Sequence, residues 1–380
     1  MISIVAAEVM SALGSKEEAL KHLKEGTYCT QSRAMELLGE RLEFAYYGMD
    51  DAERNKSLST PLSYLEKIVT QLLANVTLDK VALKRCGLFL GSSSNDLSLA
   101  LPLGQNYDGS QEEKMACARV GNGYYADHLI KHFGLSHISL SYNTACTSSA
   151  NAFLDAAAML EGGLIDYALV VGIEMFAPVT FEGFGSMQLL SPTTLKAFDK
   201  ERQGIVLGEA LSAVMLSRDE VLSTPWHFLG GVSNCETHSV TGANPDGVGI
   251  SKVILSALKD AGVEASELSV IKAHGTASAL NDMAEINGMK LAFEKIPPFF
   301  SLKPYIGHTL GSCGSSELAL LMQSVDAGFI PKSANFECED EALGVTPLQE
   351  RMECDSGTFM LNYFGFGGNN TSLVIQKDTL

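Results

Sequence analysis

At 380 residues the chain is long enough for two or three domains, or for one large duplicated one. With 46% apolar and 19% charged residues it can bury a large core, which excludes a disordered chain. A net charge of −18 argues against nucleic acid as a partner, because phosphate binding demands a basic excess, and any acidic partner would need a local basic patch.

The eight cysteines, at 29, 86, 117, 146, 235, 313, 338 and 354, stand at least sixteen positions apart, so no CxxC pair and no metal-ligand spacing exists. No bound metal is expected. Met1 to Leu13 is apolar but holds Glu8 and lacks a basic start, so it does not read as a signal peptide. No apolar run is long enough for a membrane span. A cytoplasmic protein with free thiols is the expectation.

In chain order, residues 2–7 read as a strand and Lys16 to Lys24 as a helix. The charged segment Asp50 to Lys56 leads into an amphipathic helix from about Pro61 to Asn75. Cys86 to Leu90 reads as a buried strand ending in Gly91-Ser92-Ser93-Ser94, and 121–133 as a helix. Strand 136–142, helix 148–162 and strand 167–172 form a βαβ unit with a right-handed crossover expected. Residues 206–217 supply another strand. The polar stretch Asp219 to Trp226 is the candidate seam, giving halves 1–222 and 223–380. After it come a helix over 249–261, a strand over 268–273 and helices over 279–293 and 311–326. Strands near 359–363 and 372–376 end the chain. Both halves alternate helices with short apolar strands, the pattern of a duplicated α/β architecture.

Three stretches carry candidate chemistry. The first is Thr144-Ala145-Cys146-Thr147-Ser148-Ser149, where small residues surround a cysteine at a strand-to-helix joint. Unpaired N–H groups at a helix start favour an anion, so this setting is expected to lower the thiol pKa and produce the nucleophilic thiolate. The second is a pair of histidines in glycine-flanked turns, His274 in Ala273-His274-Gly275-Thr276 and His308 in Gly307-His308-Thr309. Strand-end loops are where α/β proteins build sites, yet each histidine alone reads equally well as structural. His22, His128, His132, His137, His227 and His238 lack such a setting and read as structural. The third is Phe364-Gly365-Phe366-Gly367-Gly368-Asn369, whose glycines admit a ligand close to the backbone; a plain tight turn is the alternative.

Taken together, Thr144-Ala145-Cys146-Thr147-Ser148-Ser149, His274-Gly275-Thr276, the run from Lys303 through Gly307-His308 to Gly311, and Phe364 to Gly368 resemble the β-ketoacyl-ACP synthases of the thiolase fold. Phe198-Asp199, Arg202, Gly204 and Gly208-Glu209-Ala210 match a further stretch of that family, as do Asn281-Asp282 and Glu285. The resemblance implies a thiolase-like α/β fold, duplicated and five-layered (α-β-α-β-α) with mixed sheets. The nucleophile would lie in the first half and both histidines in the second. It implies that Cys146 accepts an acyl chain from a carrier-protein thioester. His274 and His308 would then support the decarboxylation of a malonyl thioester. The Cys146 and Phe366 N–H groups would form an oxyanion hole, and Phe366 would gate the acyl pocket. Lys303 would be held by Glu317, with Asp282, Thr276, Gly365 and Gly367 supporting.

No tightly bound cofactor is implied. The phosphopantetheine arm of an acyl carrier protein brings the substrate, and Arg54, Lys56 and Lys67 are candidate docking residues. A homodimer or a heterodimer with a chain-length-factor-like subunit is expected, paired through strand 167–172. The alternative is a non-catalytic chain-length-factor-like subunit, but such subunits usually lose the cysteine. A thiolase using coenzyme A would want a second catalytic cysteine in a glycine-rich turn, which Cys313, Cys338 and Cys354 do not provide. The departures, Ala277-Ser278 and Asn369 where the family has Gly-Thr and Thr, bear on substrate more than on reaction, and admit specialised pathways such as polyene-type lipid assembly.

Overall fold

The computed structural model describes residues 1–37, 39–49, 59–94, 122–218 and 220–379. The first half contributes β1 (Ile2–Ser11), β2 (Gln31–Leu37), β3 (Glu40–Tyr46), β4 (Cys86–Gly91), β5 (Ser139–Tyr142), β6 (Tyr167–Glu174) and β7 (Ala210–Arg218). The second contributes β8 (Trp226–Cys235), β9 (Leu268–Lys272), β10 (Phe299–Phe300), β11 (Phe329–Ile330), β12 (Met352–Glu353), β13 (Gly357–Phe364) and β14 (Asn369–Lys377). The helices are α1 (Lys16–Glu25), α2 (Ser59–Ala74), α3 (Lys80–Leu83), α4 (Asn122–Phe133), α5 (Ser148–Glu161), α6 (Pro178–Ser186), α7 (Val248–Ala261), α8 (Ala279–Ala292), α9 (Lys303–Ile306) and α10 (Cys313–Asp326).

Ten strands form one sheet in the order β10-β9-β13-β14-β8-β1-β7-β6-β4-β5. Reading outward from the middle, β1-β7-β6-β4-β5 and β8-β14-β13-β9-β10 have the same strand order within their halves. They also have the same directions: two antiparallel pairings followed by two parallel ones. The copies meet where β1 and β8 pair at Ile2↔Phe228 and Ser3↔His227.

Side-chain alternation along the strands divides the core among layers. On β6, Leu169, Val171 and Ile173 pack outward against Leu65, Ile68 and Leu72 of α2 and Leu129 of α4. Ala168 and Val170 face inward to a cluster shared with Phe153 and Ala157 of α5 and Leu318 and Leu321 of α10. In the second half Met360 and Val374 face Ile254 of α7 and Met289 of α8. The helix pair α5 and α10 is thus the middle of five layers. α10 is buried along nearly its whole length, so amphipathic periodicity does not mark it.

The elements agree closely with the sequence pattern, with instructive exceptions. β1 runs on to Ser11, past Glu8, because antiparallel pairing with β7 continues to Ser11↔Ala210. The hairpin β2–β3 and strand β8 escape notice because none shows the sustained polar–apolar alternation or the continuous apolar run that marks a strand. The expectation that 167–172 offers a dimer edge is overturned: β6 is hydrogen-bonded to β4 on one side and β7 on the other. Among the described residues the unpaired outer edges of this sheet belong to β5, with Leu140 exposed, and to β10.

The two central helices cross at small residues. A Cβ on Gly314 would lie 2.2 Å from the Ala150 backbone nitrogen, and Ser315 N–H donates to Ser149 Oγ at 3.1 Å. Gly314→Ala must push α10 away from α5. Overpacking of this kind costs about 1–3 kcal/mol, read as a lower urea midpoint; an unchanged midpoint would contradict so close a crossing.

Candidate active site

Cys146 sits in a 3-10 turn, Ala145–Thr147, that runs into α5. Ala145 adopts φ +51°, a left-handed conformation that costs about 1–3 kcal/mol at a non-glycine residue. Short polar side chains hold it there. Ser148 Oγ accepts from Thr144 N–H at 3.0 Å and donates to Ala145 O at 2.6 Å, while Thr147 Oγ1 donates to Thr144 O at 2.8 Å. The same turn recurs in the second half: Thr309, then Leu310 at φ +44°, a 3-10 turn over Leu310–Ser312, and α10. Aligned on the strained residues, Thr144-Ala145-Cys146 corresponds to Thr309-Leu310-Gly311.

His308 precedes that second turn, and its Nε2 lies 3.1 Å from Cys146 Sγ. Leu310 N–H donates to His308 Nδ1 at 3.3 Å, which fixes Nδ1 as the acceptor and leaves the ring proton on Nε2, facing sulfur. His274 stands edge-on to His308 with ring centroids 5.3 Å apart. Its Nδ1 lies 3.2 Å from Lys303 Nζ. An ammonium can only donate, so His274 also carries its proton on Nε2, which is buried and has no partner among the described residues. Two imidazoles and one thiol therefore line the same cavity.

Lys303 is fully buried and donates to Glu317 Oε1 at 2.7 Å. Burial opposes its charge most strongly, but the Glu317 carboxylate together with the Cys313 and Cys146 thiols holds its pKa above the ordinary lysine value. The second Glu317 oxygen accepts from Lys272, whose ammonium also donates to Asn362 O at 2.7 Å and lies 3.7 Å from the centre of the Tyr363 ring. Burial, with Lys303 beside it, pushes the Lys272 pKa down. Burial and the Lys303 charge hold both histidines well below the ordinary histidine pKa, so both imidazoles are neutral.

The thiol departs from expectation. Burial pushes the Cys146 pKa up to about 11, against the downward pull of the Phe366 N–H and of Lys303. The helix start is real, but a thiol on a residue only 5% exposed loses more hydration than a short turn returns. The resting group is a thiol whose thiolate is favoured by the Phe366 and Cys146 N–H groups.

The His274 loop is held by two buried carboxylates. Glu285 accepts from the His274 and Gly275 N–H groups at 2.7 and 2.8 Å. Asp282 accepts from Thr276 and Ala277 N–H at 3.0 and 3.1 Å, and from Phe198 N–H at 2.7 Å. Burial raises both, Asp282 to about 6 and Glu285 to about 7. Thr276 Oγ1 is left without a partner among the described residues, beside the cavity.

Phe366 follows β13. Gly365 N–H donates to Asn369 O at 2.7 Å and Asn369 Nδ2 donates to Phe366 O at 3.1 Å, closing the turn in which Gly367 adopts φ +77°. The Phe366 ring stacks on Phe184 at 5.4 Å. Between them and the histidines lies a cavity of about 90 Å³, with Leu189 and Ile205 on its apolar wall and His274, Thr276 and His308 on its polar one.

Family models match this arrangement along the chain: the β-ketoacyl synthase N-terminal domain over residues 50–221 and the C-terminal domain over 228–337. The chain belongs to the β-ketoacyl synthase family. A chloroplastic 3-oxoacyl-[acyl-carrier-protein] synthase I of Hordeum vulgare is 29% identical over 78% of this chain and 68% of its own length. Its counterpart in Arabidopsis thaliana is 27% identical over 89% and 76%. In fold, the synthase matches a ketosynthase solved with its chain length factor from Xenorhabdus doucetiae. That match has a TM-score of 0.81 at 24% identity, over 99% of this chain and 98% of that one.

Of the residues singled out in the sequence, the synthase brings Cys146, His274, His308 and Phe366 around one cavity. Lys303, Glu317 and Asp282 stand directly behind it. Arg54 and Lys56 lie outside the described residues; Lys67 is exposed on α2 and does not line the cavity. Cys313 does not line the cavity, and its buried thiol donates to Cys146 O at 2.9 Å. Two residues escaped the sequence reading. Lys272 is masked by its place in an apolar strand. Glu174, at the end of β6, gathers Ser93, Ser94 and the Gly311 N–H at 3.0 Å on one buried carboxylate. A charged residue at the end of an otherwise apolar run was the signal for each.

Lys272→Met leaves Glu317 paired with Lys303 and costs Asn362 O its donor, an expected loss of about 1–3 kcal/mol in urea unfolding. Glu317→Gln strands two buried ammonium groups, an expected loss of about 3–5 kcal/mol. Equal losses would mean that Glu317 is not the shared partner.

Proposed function

We propose that this synthase is a decarboxylating 3-oxoacyl-[acyl-carrier-protein] synthase with Cys146 as nucleophile. The observation that carries this is a single cavity lined by Cys146 and two neutral imidazoles, His274 and His308, with His308 Nε2 3.1 Å from Cys146 Sγ and His274 Nε2 unpaired among the described residues. The Cys146 thiolate attacks the acyl thioester of a carrier protein, and the phosphopantetheine thiol leaves with the proton. The Cys146 and Phe366 N–H groups bind the tetrahedral oxyanion.

A malonyl thioester then enters. Carbon dioxide leaves, its bonding electrons form an enolate, and the enolate oxygen accepts the two imidazole N–H bonds. The enolate carbon attacks the acyl carbonyl, and the Cys146 thiolate leaves. Lys303 keeps His274 in the donating tautomer. The Phe366–Phe184 stack beside a 90 Å³ cavity supports a gate that must open for a longer chain. The half before residue 223 supplies the nucleophile and the half after it the donors. No resident cofactor is required.

The relatives' names and the solved ketosynthase complexes support an acyl carrier protein as substrate carrier and a chain-length-factor-like or identical partner subunit. The open edge of β5 is the edge that suits such a pairing. No helix among the described residues is long and apolar enough to cross a membrane. The described cysteines are all free, which suits the reducing cytoplasm.

Intact-protein mass after incubation with acyl-carrier thioesters tests the reading. Wild type gains the acyl mass and Cys146→Ala does not. His274→Ala still loads, but malonyl decarboxylation falls about 10²–10³-fold, as for loss of one oxyanion donor. A wild type that no thioester loads, alone or with its partner subunit, would make it a non-catalytic subunit.

Because both imidazoles are already neutral, the ring-nitrogen NMR shifts of His274 and His308 should stay at neutral-imidazole values as pH falls from about 8 to about 6, the window in which Glu285 and Asp282 take up protons. A change to imidazolium shifts with its midpoint at the ordinary histidine value of 6.5 would contradict the depressed pKa values.

A further inference from the structure

On the outer face of the first half, away from the catalytic cavity, α2 and α4 bring three side chains to one point. His128 and His132 are four residues apart on α4, one helical turn, so both imidazoles lie on the same face. His128 Nε2 lies 2.6 Å from Glu66 Oε1 on α2, and His132 Nδ1 lies 3.3 Å from the same oxygen. The imidazoles are stacked with centroids 5.8 Å apart, and the three ligand atoms lie within 4.8 Å of one another. Phe133 packs edge-on against His132 at 4.7 Å, which limits rotation of that ring.

We propose that Glu66, His128 and His132 form a binding site for a divalent transition cation, with Zn²⁺ the best fit. Tetrahedral zinc with bonds of about 2.0–2.1 Å spaces its ligand atoms roughly 3.3–3.4 Å apart. The Glu66–His132 separation already meets that spacing, and Glu66–His128 meets it by opening less than about 1 Å, within the reach of a glutamate side chain. Two imidazoles and one carboxylate favour zinc, cobalt, nickel or copper over magnesium or calcium, which prefer oxygen. The side chains are 31–44% exposed, so an ion can enter from solvent and water can complete the shell. Both helices pack on the outer core through Leu65, Ile68 and Leu129, so the ion would cross-link α2 to α4. The site is independent of the condensing reaction.

The catalytic cysteine and histidines can also take a soft cation, so the binding experiment uses the full-length Cys146→Ala protein. Equilibrium dialysis against Zn²⁺ is expected to leave one equivalent bound. In that background His128→Ala and His132→Ala should each weaken binding at least about 100-fold, beyond what loss of an outer-shell partner costs. Co²⁺ should give the intense visible bands of a tetrahedral site, without thiolate charge transfer. Urea midpoints without metal establish that the variants fold; should either alanine variant fail, the near-isosteric Glu66→Gln is read instead. No retained zinc, or zinc retained equally by the histidine variants, overturns the site and leaves an ordinary surface ion pair.

Discussion

Glu317 is one carboxylate, wholly buried, with two ammonium groups on it. Removing such a charge from water is costly, and the cost is met only because both oxygens are engaged at close range. The electrostatics of the cavity hang from this arrangement. It keeps Lys303 charged in a dry interior. The charged Lys303 can only donate, and so makes His274 Nδ1 an acceptor. The same positive charge helps keep both imidazoles neutral. A structural ion pair and the protonation state of the reacting groups are one electrostatic problem with one solution.

Burial produces opposite effects on neighbouring groups, and the site uses the contrast. It drives the histidines toward the neutral form, which is the form that donates one N–H and accepts at the other nitrogen. It drives the Cys146 thiol upward, which protects the resting protein from stray oxidation at the cost of nucleophilicity. The group still rests as a thiol, and two backbone N–H groups offset, locally, part of what the medium withholds. A helix start by itself could not do this.

Much of this was legible in the residues. Apolar runs such as Tyr-Ala-Leu-Val-Val-Gly announced buried strands, and small residues around Cys146 announced the joint, because local pattern and local geometry agree there. His274 and His308 were visible through their glycine-flanked turns. What was not legible depends on partners far away in sequence. β8 forms because β14 pairs along it, not because its own residues insist. Lys272 matters because Glu317, forty-five residues on, reaches it. The placement of the dimer edge on 167–172 failed for a related reason: an apolar strand reads the same whether its edges are open or already paired, and only topology distinguishes them.

The repeated turn has a last consequence. The two halves share the strained residue, the 3-10 turn and the central helix, so the second half possesses the backbone of a nucleophile site at Gly311. It cannot be armed. A Cβ there would lie 2.5 Å from the Ser93 backbone nitrogen, inside the segment that Glu174 holds in place. Duplication built two cradles, and the packing of the first half closes the second. Of the two turns only the first therefore holds a thiol, and the second follows His308 instead.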